Sequence, residues 1–352
     1  MAFYTQSVSG QLALLARRQP IAKLTADPKT PQGLRHRLRE VEQIRRFAIG
    51  SLGLPDNGSY QSYVDLRRPF VVWNVFATPA FSLTPLTWCF PWVGCVSYRG
   101  YFAEEEARRF ARSLEAQGYD VFVGGVAAYS TLGWFADPLL NTMLRLDDLR
   151  LAKVIFHELA HQKLYIPDDT AFNEAFATAV AQVGMEHWLK AQGREQALIA
   201  LEREETRESE FIALVLATRK QLESLYASLL EMSPMRAAKE RIFQDLRRRY
   251  QALKHQWGGY AGYDVWMTTD LNNAKIASVL TYHEQLAGFN ALLKAADDEL
   301  ERFYVLVRLI GQLPLKRRAF CLNGLAQQGP GFLSACFGLG AAPSVRSPLK
   351  GG

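Results

Sequence analysis

The chain has 352 residues, of which 49% are hydrophobic and 22% charged, with a formal net charge of +6. This is the composition of a globular protein long enough for a large core, and it excludes collagen-like, low-complexity and intrinsically disordered classes. No apolar run reaches the ~18 residues of a membrane-spanning helix, and no signal peptide is recognisable.

In chain order, residues 33–48 predict a helix rich in Arg and Glu, and Leu54-Pro55-Asp56-Asn57-Gly58 a turn. Phe70 to Ala77 reads as a strand from its β-branched and aromatic content, and Trp92 to Tyr98 as another. Ala103 to Gln117 is amphipathic and stops at Gly118, and Asp120 to Gly125 is a third strand. These strands predict a small sheet. In peptide-binding proteins an edge strand holds extended chain by main-chain hydrogen bonds, and Gly124 to Ser130 is the candidate, with an ordinary buried strand as the alternative. The four cysteines are Cys89, Cys95, Cys321 and Cys336. Two disulfides, Cys89 with Cys95 and Cys321 with Cys336, fit an oxidising compartment; free buried thiols are the alternative, and no CxxC spacing suggests a zinc ribbon.

Asp147 and Asp148 mark a helix start, after which Leu151, Val154, Ile155 and Leu159 recur at helical spacing. On that helix lies His157-Glu158-Leu159-Ala160-His161. Two histidines four apart share one face and can grip one metal ion, while the glutamate between them stands beside it to take a proton from water. A catalytic zinc needs a third protein ligand and an open position. The place of a third histidine in the extended motif is taken by Asp168, so a carboxylate must serve. Pro167 to Thr170 reads as a helix-breaking loop and N-cap, followed by a helix from Phe172 to Lys190. Glu174 in its first turns, set among apolar neighbours, is the candidate ligand, with Asp168 and Asp169 as alternatives. Thr178, one turn further, is positioned to orient a histidine. His36, His187, His255 and His283 have no ligand-like spacing.

From Arg194 to Trp257 the apolar residues recur at three, four or seven, with a break at Met232-Ser233-Pro234. This predicts two long antiparallel helices. The basic residues here interleave with acids, and Arg247-Arg248-Arg249 is short; a solvated face, or one near an anionic membrane, fits better than a nucleic-acid site. Gly258 to Tyr263 is an aromatic, Gly-rich loop. Helices resume over 272–294 and 296–309, and residues 331–352, rich in Gly, Ser and Pro, read as a disordered tail. Residues 1–330 thus form one unit, divided at 135, 193 and 257 into a helical and small-sheet region, the metal-binding helices, the hairpin and the C-terminal helices. The fold class is α+β, predominantly α-helical.

His157 to Gln162, with Asp169-Thr170 through Phe172-Asn173-Glu174 and Phe176-Ala177, resembles the predicted zinc aminopeptidase family of Gram-negative bacteria. The likeness extends to Tyr4 through Gln11, Cys89 to Phe102, Gly118 to Val121, Ala128 to Phe135 with Asp137-Pro138, and Asn272 to Ala274, so that it covers the chain to about residue 330. The resemblance implies a zincin-like, gluzincin-type peptidase acting on peptides: Zn2+ on His157, His161 and Glu174, with Glu158 as general base. In related sites a tyrosine stabilises the oxyanion, and Tyr282 is the candidate, with Tyr263 as a second. Members are usually lipoproteins. The family therefore implies a lipid-bearing amino terminus absent from this chain and a periplasmic or cell-envelope location; the alternative is a cytoplasmic protein. A zinc endopeptidase, or a non-catalytic, metal-stabilised envelope scaffold that binds through the helical hairpin, are the other functional readings.

Overall fold

A computed structural model describes residues 14–90, 94–128, 131, 135–283 and 285–338, with 280–283 as backbone only. Strand β1 (Gln19–Pro20) leads into helices α1 (Ile21–Ala26) and α2 (Gln32–Leu52), then β2 (Ser62–Val64) and β3 (Val72–Pro79). Four short elements follow: β4 (Trp88–Phe90), β5 (Gly94–Val96), β6 (Arg99–Tyr101) and helix α3 (Glu104–Glu115). The chain continues through β7 (Tyr119–Val126) and β8 (Leu139–Leu140) to the paired helices α4 (Asp148–Lys163) and α5 (Thr170–Ala191). Helices α6 (Glu195–Tyr226) and α7 (Met232–Gln256) form the long hairpin. Helices α8 (Asp264–Thr268), α9 (Asn273–His283), α10 (Leu286–Ala295), α11 (Leu300–Gly311), α12 (Leu315–Gln328) and α13 (Leu333–Cys336) complete it. The architecture is predominantly helical α+β, as the periodicities predict.

The central sheet is antiparallel, in the order β6-β3-β7. Strand alternation divides its faces. Trp73, Val75, Ala77 and Val121 pack on Ala107, Ala111 and Leu114 of α3. Asn74, Phe76 and Phe122 face the other way, where α9 lies between the sheet and α5. Among the described residues no strand pairs with the outer edge of β7. At Val121 that edge is capped instead, because Asn272 Nδ2 donates to its carbonyl at 2.8 Å. The neighbouring Asn273 ties the same helix start to the turn after β3, donating to the carbonyls of Ala80 and Ser82 at 3.0 Å each. The Asn272-Asn273 pair is thus a strap between sheet and helices.

The main apolar core joins α2, α4, α5, α10, α11 and α12. Helices α10 and α12 approach closely at Gly288, where a Cβ would lie 2.4 Å from the Leu322 carbonyl oxygen. A second cluster, around Phe211, Leu222, Phe243 and Tyr250, holds the hairpin together.

Several boundaries differ from the sequence reading. The strand expected over Trp92–Tyr98 is instead β5, hairpin-paired with β4 across a Cys89–Cys95 disulfide, followed by a bend at Ser97–Tyr98. The helix expected over 272–294 is two helices, α9 and α10. The one expected from Ala296 begins later, because Asp297 and Asp298 take positive φ values of 57° and 61°, which a right-handed helix cannot hold. Cys321 and Cys336 are buried free thiols in hydrogen-bond contact, not a second disulfide. Residues through 338 are described, with Cys336 in the core; 339–352 lie outside the described residues, as do the amino-terminal segment to residue 13, Tyr129 and Ser130.

Candidate metal centre

Helix α4 begins where the Asp147 carboxylate accepts from the Arg150 amide at 2.9 Å, and α5 where Asp169 accepts from Phe172 at 3.2 Å. The two helices pack against each other, and an amide clamp fixes the loop between them: Asn173 Nδ2 donates to the Ile166 carbonyl at 2.7 Å, and its Oδ1 accepts from the Ile166 amide at 2.8 Å. Asp169 is also paired with the buried Arg318 at 2.8 Å. Asp168 sits at φ 66° and accepts from the Cys95 amide at 2.7 Å, so the disulfide hairpin rests on this loop. Both alternative carboxylates are therefore engaged elsewhere.

Glu174 is carried to the two histidines. His157 Nε2 lies 3.2 Å from Glu174 Oε2 and 3.1 Å from His161 Nε2, and His161 Nε2 lies 3.6 Å from Glu174 Oε2. A tetrahedral metal with bonds of ~2.0–2.1 Å keeps its ligand atoms about 3.3–3.4 Å apart. The observed triangle has that size, with two imidazole nitrogens and one carboxylate oxygen at its corners. The cluster can hold a metal ion. His161 Nδ1 is buried without a hydrogen-bond partner, so among the described residues the polar contacts of this ring run to the cluster.

The electrostatics follow from burial and this convergence. Burial alone would raise the Glu174 carboxyl, but His161 and His157, by charge and hydrogen bond, hold it well below the usual carboxylate range. Burial acts to lower His161, and Glu174 more than reverses it. Glu158 is pushed up by burial, against the opposing pull of the two imidazoles and with Glu174 and Asp137 adding to the rise. A raised carboxyl is a stronger proton acceptor than a free one.

Sequence reasoning missed three neighbours. Asp137 is buried, accepts from Gln162 Nε2 at 3.0 Å and from Thr131 Oγ1 at 2.6 Å, and so fixes the segment after β7 to the residue following His161. Tyr98, at the bend after β5, packs against Phe76 with the rings tilted and their centroids 5.5 Å apart, and lies within the field of Glu174 and Glu158; burial and those charges raise its hydroxyl far above its ordinary value. Tyr165 is similarly pushed up to about 12 by burial, with Glu174 adding. Both remain protonated donors at neutral pH. Tyr282 falls on α9, and its side chain lies outside the described residues. Tyr263 stacks on Phe211 at 4.0 Å, on the hairpin side. Thr178 is buried one turn beyond Glu174, and no hydrogen bond from it to either histidine is present among the described residues.

Two adjoining helices bring together a pair of histidines and a glutamate that can hold a metal ion, and Glu158 lies between the two histidines in sequence. The family model described as "Putative aminopeptidase" matches residues 2–322, and the chain belongs to that family. Comparison with curated proteins and with solved structures finds no match.

Proposed function

We propose that the chain is a zinc-dependent aminopeptidase. The observation that carries this reading is the His157–His161–Glu174 triangle, of the size a tetrahedral ion requires, with Glu158 beside it. Two nitrogens and one oxygen suit zinc and leave a position open for substrate or water. When bound, such an ion lowers the pKa of water toward neutrality and polarises a carbonyl. Glu158 takes the proton of the attacking water and delivers it to the departing amine. Asp137, through Gln162, holds the end of α4 against the segment that follows β7. Tyr98 is the donor we assign to the carbonyl oxygen as charge develops there, in the role expected of Tyr282.

The open edge of β7 supports a peptide ligand. Because the Val121 carbonyl points to that edge, strand alternation turns the main-chain groups of Val123 and Gly125 to it as well. An extended peptide can pair there. The Cys89–Cys95 disulfide supports an oxidising compartment, in line with an envelope location and a lipid-anchored native form. Amino-terminal acetylation of a good substrate tests the exopeptidase part of the reading. Turnover is expected to fall by at least about ten-fold, the scale of one lost charge-assisted contact; equal cleavage of acetylated and internal peptides would make the chain an endopeptidase.

A further inference from the structure

A cleft of about 410 Å³ lies on the sheet face opposite α3, walled by Phe76 and Phe122 from the sheet, Phe211 from α6 and Trp266 from α8. The volume is in the range of sites for small ligands, about 300–1,000 Å³, and the mix of apolar walls with a few polar groups is typical of them. Asn74 supplies a polar floor: it is buried, lines the cleft, and makes no side-chain hydrogen bond among the described residues. Glu208 stands at the side, with its charge matched by Lys153 at 3.3 Å, and Lys275, which is not among the lining residues, lies 5.5 Å and 5.0 Å from the ring centroids of the walls Phe122 and Trp266.

Two contacts place the cleft beside the metal cluster. Phe76 packs against the tilted ring of Tyr98, which lies in the field of Glu174. From the helix side, Lys153, the partner of Glu208, precedes His157 by one turn on the same face of α4. The two glycines of β7 serve opposite faces of the sheet, and Gly124 is the one on the cleft side. Gly125 is required by packing, since a Cβ there would meet the Phe70 ring at 2.3 Å. Gly124 is not so constrained: a Cβ would meet only the edge of the Phe122 ring, at 3.2 Å, and a longer side chain would extend into the cleft. A glycine within a strand marks a close approach by another group.

We infer that this cleft is a specificity pocket for a large apolar or aromatic side chain of a peptide laid along the outer edge of β7. The inference rests on the peptidase reading and adds to it the class of substrate. An extended peptide turns alternate side chains to the face of Phe122 and Gly124, so one of them enters the cleft. Because Glu208 is already paired, aromatic walls decide the preference in favour of apolar over charged residues.

The test titrates the tripeptides Phe-Ala-Ala, Ala-Phe-Ala, Ala-Ala-Phe and Ala-Ala-Ala into the Glu158→Gln chain by calorimetry. At least one Phe-bearing peptide is expected to bind about ten-fold or more tightly than Ala-Ala-Ala. Ile212→Trp and Gly124→Val, each made in the same background, fill the cleft from opposite walls and are expected to bring that ratio to within about two-fold. The Ile212 side chain is on a half-buried helix face, so this variant keeps the experiment informative if the strand substitution fails to fold. Equal binding of all four peptides, or a Phe preference that survives either folded variant, would overturn the inference. Hydrolysis of the same peptides by the unaltered chain is read separately: a Phe preference in binding without turnover would support the cleft and refute the peptidase.

Discussion

Glu174 and Asp168 differ in what surrounds them, and this gives opposite predictions for two conservative substitutions. Glu174→Gln removes the charge that the two imidazoles stabilise, so metal content after dialysis is expected to fall by at least about ten-fold, the scale of a lost charged ligand. Asp168→Asn keeps an acceptor for the Cys95 amide and tolerates a positive φ, so the metal is expected to stay. The reverse pattern in metal analysis would move the site onto the loop. A buried lysine offers a separate test. Lys275 on α9 contacts the Thr269 carbonyl at 3.4 Å and lies 5.0 Å from the Trp266 ring centroid. Burial pulls its pKa from 10.5 down to about 8, with Asp270 opposing and Arg247 adding. The cost of the charge is therefore full below about pH 8 and fades as the pH rises to about 10.5, a window in which the unfolded chain still holds a proton the folded chain has lost. Lys275→Met is expected to be more stable than the unaltered chain at pH 7 by up to about 3 kcal/mol, and the gap is expected to close toward pH 10.5. Urea unfolding at the two pH values measures it, and a gap that does not narrow contradicts the burial argument.

Among the elements, the β4–β5 hairpin carries the clearest consequence. Its disulfide closes a short loop, separation 6 in sequence, and its Cys95 amide meets Asp168 between the two ligand-bearing helices. Chain entropy over so short a loop gives about 2 kcal/mol. Replacing Cys89 and Cys95 together by serine is expected to lower unfolding free energy by that amount; no change on denaturation would mean that the hairpin is held by its docking alone. The packing of α10 on α12 is tighter. Gly288→Leu would drive a side chain into the Leu322 backbone, with a cost of about 1–3 kcal/mol or more, read as a lower melting temperature. These elements also show what a sequence makes legible. The helices of the candidate centre were readable because local rules agree there: acidic caps, apolar spacing, and histidines a turn apart. The hairpin α6–α7 was readable for the same reason. Strands β1, β2 and β8, of two or three residues each, carry no periodicity and exist only through partners far along the chain. The place of Tyr98 beside Glu174, and that of Asp137 beside Gln162, depend on tertiary approach, which leaves no spacing to count.

At the scale of the whole molecule, the candidate centre joins α4 and α5, which both contribute to the largest core, so metal binding is expected to be felt in global stability. An ion bound at 100 times its dissociation constant adds about 2.7 kcal/mol. Chelation is expected to lower the melting temperature, and readdition of zinc to restore it. No helix among the described residues is long and apolar enough to cross a membrane. The measurement that bears most directly on the account is zinc content and peptide hydrolysis in one preparation of Glu158→Gln. The substitution keeps size and leaves the three ligand atoms in place while removing the proton acceptor. The account predicts about one zinc per chain, as in the unaltered protein, with hydrolysis reduced by roughly 10²-fold or more. Hydrolysis at the unaltered rate would contradict it.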